Sequence, residues 1–161
     1  MKGDVVEWID EIWRRNTNTR RCLDALWRRY EYHKAGFQFY GDSAAKARHT
    51  SASESDYLQI KGDPRFKAAG RTVHYPNAAP PVKDRFASCN LMFETAAGAR
   101  RMYVDEHRCP RLTEDLKFRT EETNEKDATH ATDAMGYFIH RRFPIKRLVT
   151  FSPQQVRTVE A

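Results

Sequence analysis

Apolar and polar positions along this chain follow two periods, one of two residues and one near 3.6, and their order predicts strands interleaved with helices. Val5-Val-Glu-Trp-Ile-Asp-Glu-Ile-Trp13 is rich in β-branched and aromatic residues and reads as a strand. Asn16-Thr-Asn-Thr19 supplies turn residues and helix caps. Arg20 to Lys34 then reads as a helix whose stripe is Cys22, Leu23, Leu26, Tyr30 and His33 or Lys34, with Gly36 past its end. Phe37-Gln-Phe-Tyr40 is a short strand halted by Gly41-Asp42. This strand–helix–strand order predicts an α/β layer.

From Ser43 to Asp56 the chain is small, polar and basic, without an apolar period, which predicts a long loop. Ser53 or Ser55 can cap a short helix over Asp56–Ile60, ended by Gly62-Asp-Pro64. Arg71–Tyr75 reads as another strand, followed by Pro76-Asn77 and Pro80-Pro81. Pro81 suits a first helical turn, and a helix from Val82 to about Thr95 should bury Val82, Phe86, Cys89 or Asn90, and Phe93. After a turn at Gly98, Arg101–Val104 is a strand. Pro110 opens a helix carrying Leu112, Leu116 and Phe118 inward. Glu121–Asp127 is a charged loop. The last helix starts near Thr129, a candidate N-cap, with Ala134, Tyr137 and Phe138 as the face expected on a core. Asp133 lies near its start, where the helix dipole favours a carboxylate, and His130 sits three residues earlier on the same side.

Composition changes the picture little. A chain of 161 residues with 40% hydrophobic and 12% aromatic residues predicts one domain, over residues 1–150, with a flexible polar tail from 151 to 161. Twenty-eight Lys and Arg against 22 Asp and Glu give +6, a bias that suits a polyanionic partner. Cys22, Cys89 and Cys109 form neither a zinc pattern nor a disulfide framework, which suggests a reducing cytosol. No apolar run approaches the roughly 20 residues of a membrane span, and the N-terminus does not read as a signal peptide. No glycine-rich phosphate loop of the G-x-x-x-x-G-K-[ST] kind is present, which removes the basis for an ATPase.

Several of these pieces fall in a familiar order. They are Gly41-Asp42, Ser55-Asp56-Tyr57, Asn77, Val82-Lys-Asp-Arg85, Asn90-Leu-Met-Phe93, Gly98, Val104-Asp105, Cys109, Leu112, Glu114-Asp-Leu116 and Thr129-His-Ala-Thr-Asp-Ala-Met-Gly-Tyr137. From about Val5 to Phe143 the chain resembles the C-terminal nuclease domain of the large terminase subunit of tailed bacteriophages. The resemblance implies a ribonuclease-H-like fold, an α/β mixed sheet flanked by helices, with Phe37–Tyr40 central. It implies a metal-dependent endonuclease that cuts concatemeric double-stranded DNA during genome packaging. Asp42 and Asp133 would be metal-binding carboxylates serving Mg²⁺ or Mn²⁺, with Asp127 and His130 bordering the site. Their carboxylates would lie within roughly 4–8 Å of each other if they share a metal pair. Such a pair would activate a water and stabilise the leaving 3′ oxygen. Lys46, Arg48 and His49 would track the DNA backbone, or form a solvated loop face. The setting implied is the host cytoplasm, with the terminase small subunit and the portal as partners.

The chain departs from the family at two points. Ala45 stands where a glycine is expected after Asp42. The two strands expected before Val5–Trp13, the first carrying an essential aspartate, have no counterpart, so the domain reads as N-terminally truncated. Asp10 and Glu11 lie on what resembles the family's third strand, near the implied site, but no matched motif supports them as substitutes. A polypeptide supplying the missing strands and the ATPase domain would be a partner. The rival expectation is a catalytically incomplete DNA-binding or docking fragment of the packaging motor.

Overall fold

The structure, a computed structural model, describes residues 4–44, 54–118 and 130–145. The elements in chain order are β1 (Val6–Trp8), α1 (Thr19–Tyr30), β2 (Phe37–Tyr40), α2 (Asp56–Gly62), α3 (Pro64–Ala68), β3 (Arg71–His74), α4 (Val82–Phe93), β4 (Met102–Val104), α5 (Pro110–Phe118) and α6 (His130–Arg142). The expected alternation of strand and helix is present, with one helix added. That addition, α3, follows from Asp63, whose carboxylate accepts the Arg65 N–H at 3.0 Å, and from Pro64 in the first turn. Local capping explains other boundaries. The Asn18 side chain accepts the Arg21 N–H to start α1, and Ser55 accepts the Leu58 N–H to start α2.

The first strand is shorter than its β-branched run predicts. Beyond Trp8 the side chains of Asp10 and Glu11 pull the chain into other contacts. Asp10 accepts its neighbour's N–H at 2.9 Å, the Arg29 guanidinium at 2.7 Å and the Tyr30 hydroxyl at 2.6 Å. Glu11 accepts the N–H groups of Arg111 and Leu112 at 2.8 and 3.0 Å, satisfying the open start of α5. Both acids thus have structural work, with Asp10 inside an ion pair.

The strands do not form the one mixed sheet expected. Among the described residues they make two parallel pairs, β1 with β4 and β2 with β3. Parallel pairing follows from the connection between β2 and β3, which crosses over through helices. Among the described residues Phe37–Tyr40 is therefore not central and pairs on one side only.

Each pair has its own apolar core. Cys89, Met92, Met102, Cys109, Leu112, Met135 and Ile139 pack around β1, β4 and helices α4 to α6. Around β2 and β3, Phe66 is fully buried, with Trp27, Phe37 and Phe39 edge-on to it at 5.0–5.4 Å. Phe138 of α6 joins the halves: its ring meets Trp8 of β1 at 5.7 Å and Tyr40 of β2 at 4.9 Å. Cys89 and Cys109 are core residues, and burial pushes the Cys89 thiol up to about 11.

Two helix faces, those of α4 and α6, are rotated from the sequence expectation, while α5 keeps Leu112 and Leu116 inward and only its last residue turns out. In α4 the buried stripe is Arg85, Ser88, Cys89 and Met92, while Val82 is 42% exposed. Phe118 is 72% exposed at the end of α5. In α6 the buried stripe is Thr132, Met135, Gly136 and Ile139, with Ala134 exposed and Phe138 only half-buried. No described helix is long and apolar enough to cross a membrane.

Candidate active site

Asp42 stands just past β2. The Gly41 N–H donates to the His74 carbonyl at 3.2 Å, extending the β2–β3 ladder one residue and fixing the chain's exit. Tyr57 of α2 lies against Gly41 so closely that a Cβ there would collide with its hydroxyl, which explains the glycine. The Tyr57 hydroxyl donates to the Asp42 backbone carbonyl at 2.5 Å, and its ring stacks on Tyr75 at 4.5 Å. Burial, together with the negative charges of Asp42 and Asp56, pushes the Tyr57 phenol up to about 12.

Asp133 lies in the first turn of α6. The helix start is held from α5, where the buried Asp115 carboxylate accepts the Ala131 N–H at 3.1 Å. Arg85 of α4 donates to Asp133 Oδ1 at 2.9 Å, and its guanidinium lies 4.4 Å from the centre of the Tyr137 ring. Gly136 packs beside it: a Cβ there would meet Arg85 Cβ at 3.4 Å, an ordinary contact. One carboxylate oxygen of Asp133 is therefore engaged by a buried cation.

Tyr57 lies within electrostatic reach of both Asp42 and Tyr137. Arg85 meets both Tyr137 and Asp133. Beside it is a cavity of about 230 Å³ lined by Gly41, His74, Tyr75, Tyr137, His140 and Arg141, a concave patch of aromatic and basic groups. His140 Nδ1 is 3.1 Å from Ser88 Oγ, but Ser88 is enclosed, so this pair is packing and not an accessible nucleophile.

The remaining candidates divide. His130 stacks on Trp13 at 6.4 Å and 24° between planes. Asp127, Lys46, Arg48 and His49, with Ala45 and Thr129, lie outside the described residues, as does the boundary expected at residue 150. Among the described residues no three His, Cys, Asp or Glu side chains gather as a metal-binding group. Asp42 and Asp133 by themselves do not complete the donor set of a two-metal centre. Sequence reading assigned no role to Tyr57 or Arg85. The available signal was a charged residue, Arg85, on the same helical stripe as Ser88, Cys89 and Met92. No protein-family model, curated protein or solved structure matches the chain.

Proposed function

We propose that the chain is part of a terminase-type DNA-packaging nuclease with a ribonuclease-H-like arrangement, to whose metal site it contributes Asp42 and Asp133. One observation carries the reading. Asp42 directly follows β2, Asp133 occupies the first turn of α6, and α6 packs on β2 through Phe138 against Tyr40. The ordered sequence pattern from Gly41 to Tyr137 supports it, as does the basic balance of +6. Metal-dependent hydrolysis of double-stranded DNA would rest on oxygen donors suited to Mg²⁺ or Mn²⁺, of which this chain provides two carboxylates. The chain's own residues position them: Tyr57 holds the Asp42 backbone and Arg85 orients Asp133.

A second reading, a docking or DNA-binding fragment without catalysis, is favoured by the Arg85–Asp133 ion pair, since a metal would compete with the guanidinium. A plasmid-nicking assay with Mg²⁺ and with Mn²⁺, run on the chain and on its Asp42→Asn and Asp133→Asn variants, separates the two. Metal-dependent nicking, even if weak, that is lost in both variants supports the nuclease. DNA binding without metal-dependent nicking supports the fragment.

A further inference from the structure

The parallel strands β1 and β4 end at one cleft. β1 runs out into residues 9–14 and β4 into residues 105–109. The space beyond them is about 680 Å³, lined by residues 10–14, by His107, Arg108 and Pro110, and by Arg29 from the last turn of α1. All of these lie inside the described stretches 4–44 and 54–118. In open α/β sheets, the carboxyl ends of the strands are where ligands sit. The cleft holds two acids, and both are engaged. Asp10 Oδ1 accepts the Glu11 N–H and Arg29 Nη1, and its Oδ2 accepts the Tyr30 hydroxyl. Glu11 Oε1 and Oε2 accept the N–H groups of Arg111 and Leu112. Arg29 uses Nη1 alone on these partners and on the Glu11 carbonyl, which leaves Nε and Nη2 for another acceptor. Arg14 and Arg108 are exposed and have no ion-pair partner among the described residues. Asp105 Oδ1 accepts the N–H groups of His107 and Arg108 at 3.0 and 3.1 Å, a turn that fixes where both side chains leave the backbone. Trp13 walls one side, its ring stacked on His130 and 5.3 Å from the Arg111 guanidinium. The cleft is thus a framed site with surplus guanidinium N–H groups.

We infer that this cleft binds a phosphate group, held by Arg14, Arg108 and the remaining N–H groups of Arg29. A guanidinium presents its donors as a planar fork that matches phosphate oxygens in pairs, and its charge is kept at any working pH. A terminal phosphate carries about two negative charges and three acceptor oxygens, so one group can engage several guanidinium groups where a single carboxylate engages one. The space also exceeds a bare phosphate and leaves room for the nucleoside that carries it. The cleft shares no lining residue with Asp42 or Asp133. The inference stands on guanidinium geometry and not on metal chemistry, so its failure would leave the nuclease reading untouched.

The test titrates four probes into the whole chain at constant ionic strength and follows the amide resonances. The probes are inorganic phosphate, ATP, a single-stranded oligodeoxythymidylate about ten nucleotides long and a short oligoglutamate peptide. Inorganic phosphate should move the amides of Arg14, His107 and Arg108 together. ATP binding tighter than the oligonucleotide would make the ligand a free nucleotide. The reverse, with affinity falling steeply as salt rises, would make it a nucleic-acid strand, and either result supports the phosphate site. Arg14→Gln combined with Arg108→Gln should weaken the tighter of these two probes about tenfold or more. Arg20→Gln combined with Arg21→Gln removes the same charge from the first turn of α1 and should weaken it less than about twofold. Equal weakening by the two pairs would reduce the effect to the general attraction of a +6 chain and overturn the inference. So would oligoglutamate binding as tightly as ATP, or phosphate shifts confined to amides outside the cleft. Binding that appears only after Glu121, Glu122, Glu125 and Asp127 are replaced by their amides would make the chain's own acids the occupant, and would equally overturn it.

Discussion

Asp42 and Asp133 have the same side chain but different surroundings, so their substitutions should differ. Arg85 is a buried cation whose guanidinium is matched by Asp133. Asp133→Asn removes the opposing charge and should cost about 1–3 kcal/mol of stability, since a charge-assisted hydrogen bond is lost and the partner stays buried. Asp42→Asn should cost less, because the Tyr57 hydroxyl bonds the backbone carbonyl of residue 42 and keeps that bond. Urea unfolding of the two variants beside wild type checks the order. Tyr57 supplies a pH test. Its folded pKa is about 12 against an ordinary 10, so the folded state keeps the proton longer than the unfolded chain does. The stability this provides is fully present below pH 10 and is lost as pH rises toward 12. Tyr57→Phe should flatten the stability curve in that window; an unchanged slope would mean that the phenol is not held as described.

At the scale of elements, order was legible in the sequence and extent was not. Strands Phe37–Tyr40 and Arg71–His74 and the helices opening at Val82 and Pro110 follow from local pattern, because turn residues and caps bound them on both sides. The strand at Val5 is shorter than its local pattern predicts, since Asp10 and Glu11 are claimed by Arg29, Tyr30 and the start of α5, contacts across 19 to 101 residues that no local window contains. The stripe of α4 was misread for a related reason: Arg85 is polar in sequence but buried once Asp133 pairs with it. The anchoring of α6 was likewise not readable, because Asp115 caps it from another helix. Asp115→Ala should therefore destabilise the chain by about 1–2 kcal/mol and increase exchange of the amides at the start of α6. An equal loss of protection along the whole helix would point to a packing defect instead.

At the scale of the molecule, the described residues form two small parallel sheets with separate cores, joined at Phe138 and split by a groove. The α/β class was legible from the alternation of elements. The pairing was not, because parallel partners are set by crossovers and by neighbours beyond a strand's own sequence. Asp42 and Asp133 stand out in the sequence only as members of an ordered pattern; the contacts that Tyr57 and Arg85 make with them emerge only from packing. With open edges and two carboxylates, the isolated chain should bind DNA weakly and nick it poorly, and sedimentation should find it associating at high concentration. Robust nicking by a clean monomer would mean that the described acids suffice with a third from elsewhere in the chain. The most direct measurement is a Mn²⁺ titration followed by paramagnetic broadening of the amide resonances. If Asp42 and Asp133 serve one site, their amides broaden together at the same low Mn²⁺ concentration, and either Asp42→Asn or Asp133→Asn abolishes the effect at both. Broadening at one residue that survives substitution of the other would contradict a shared site.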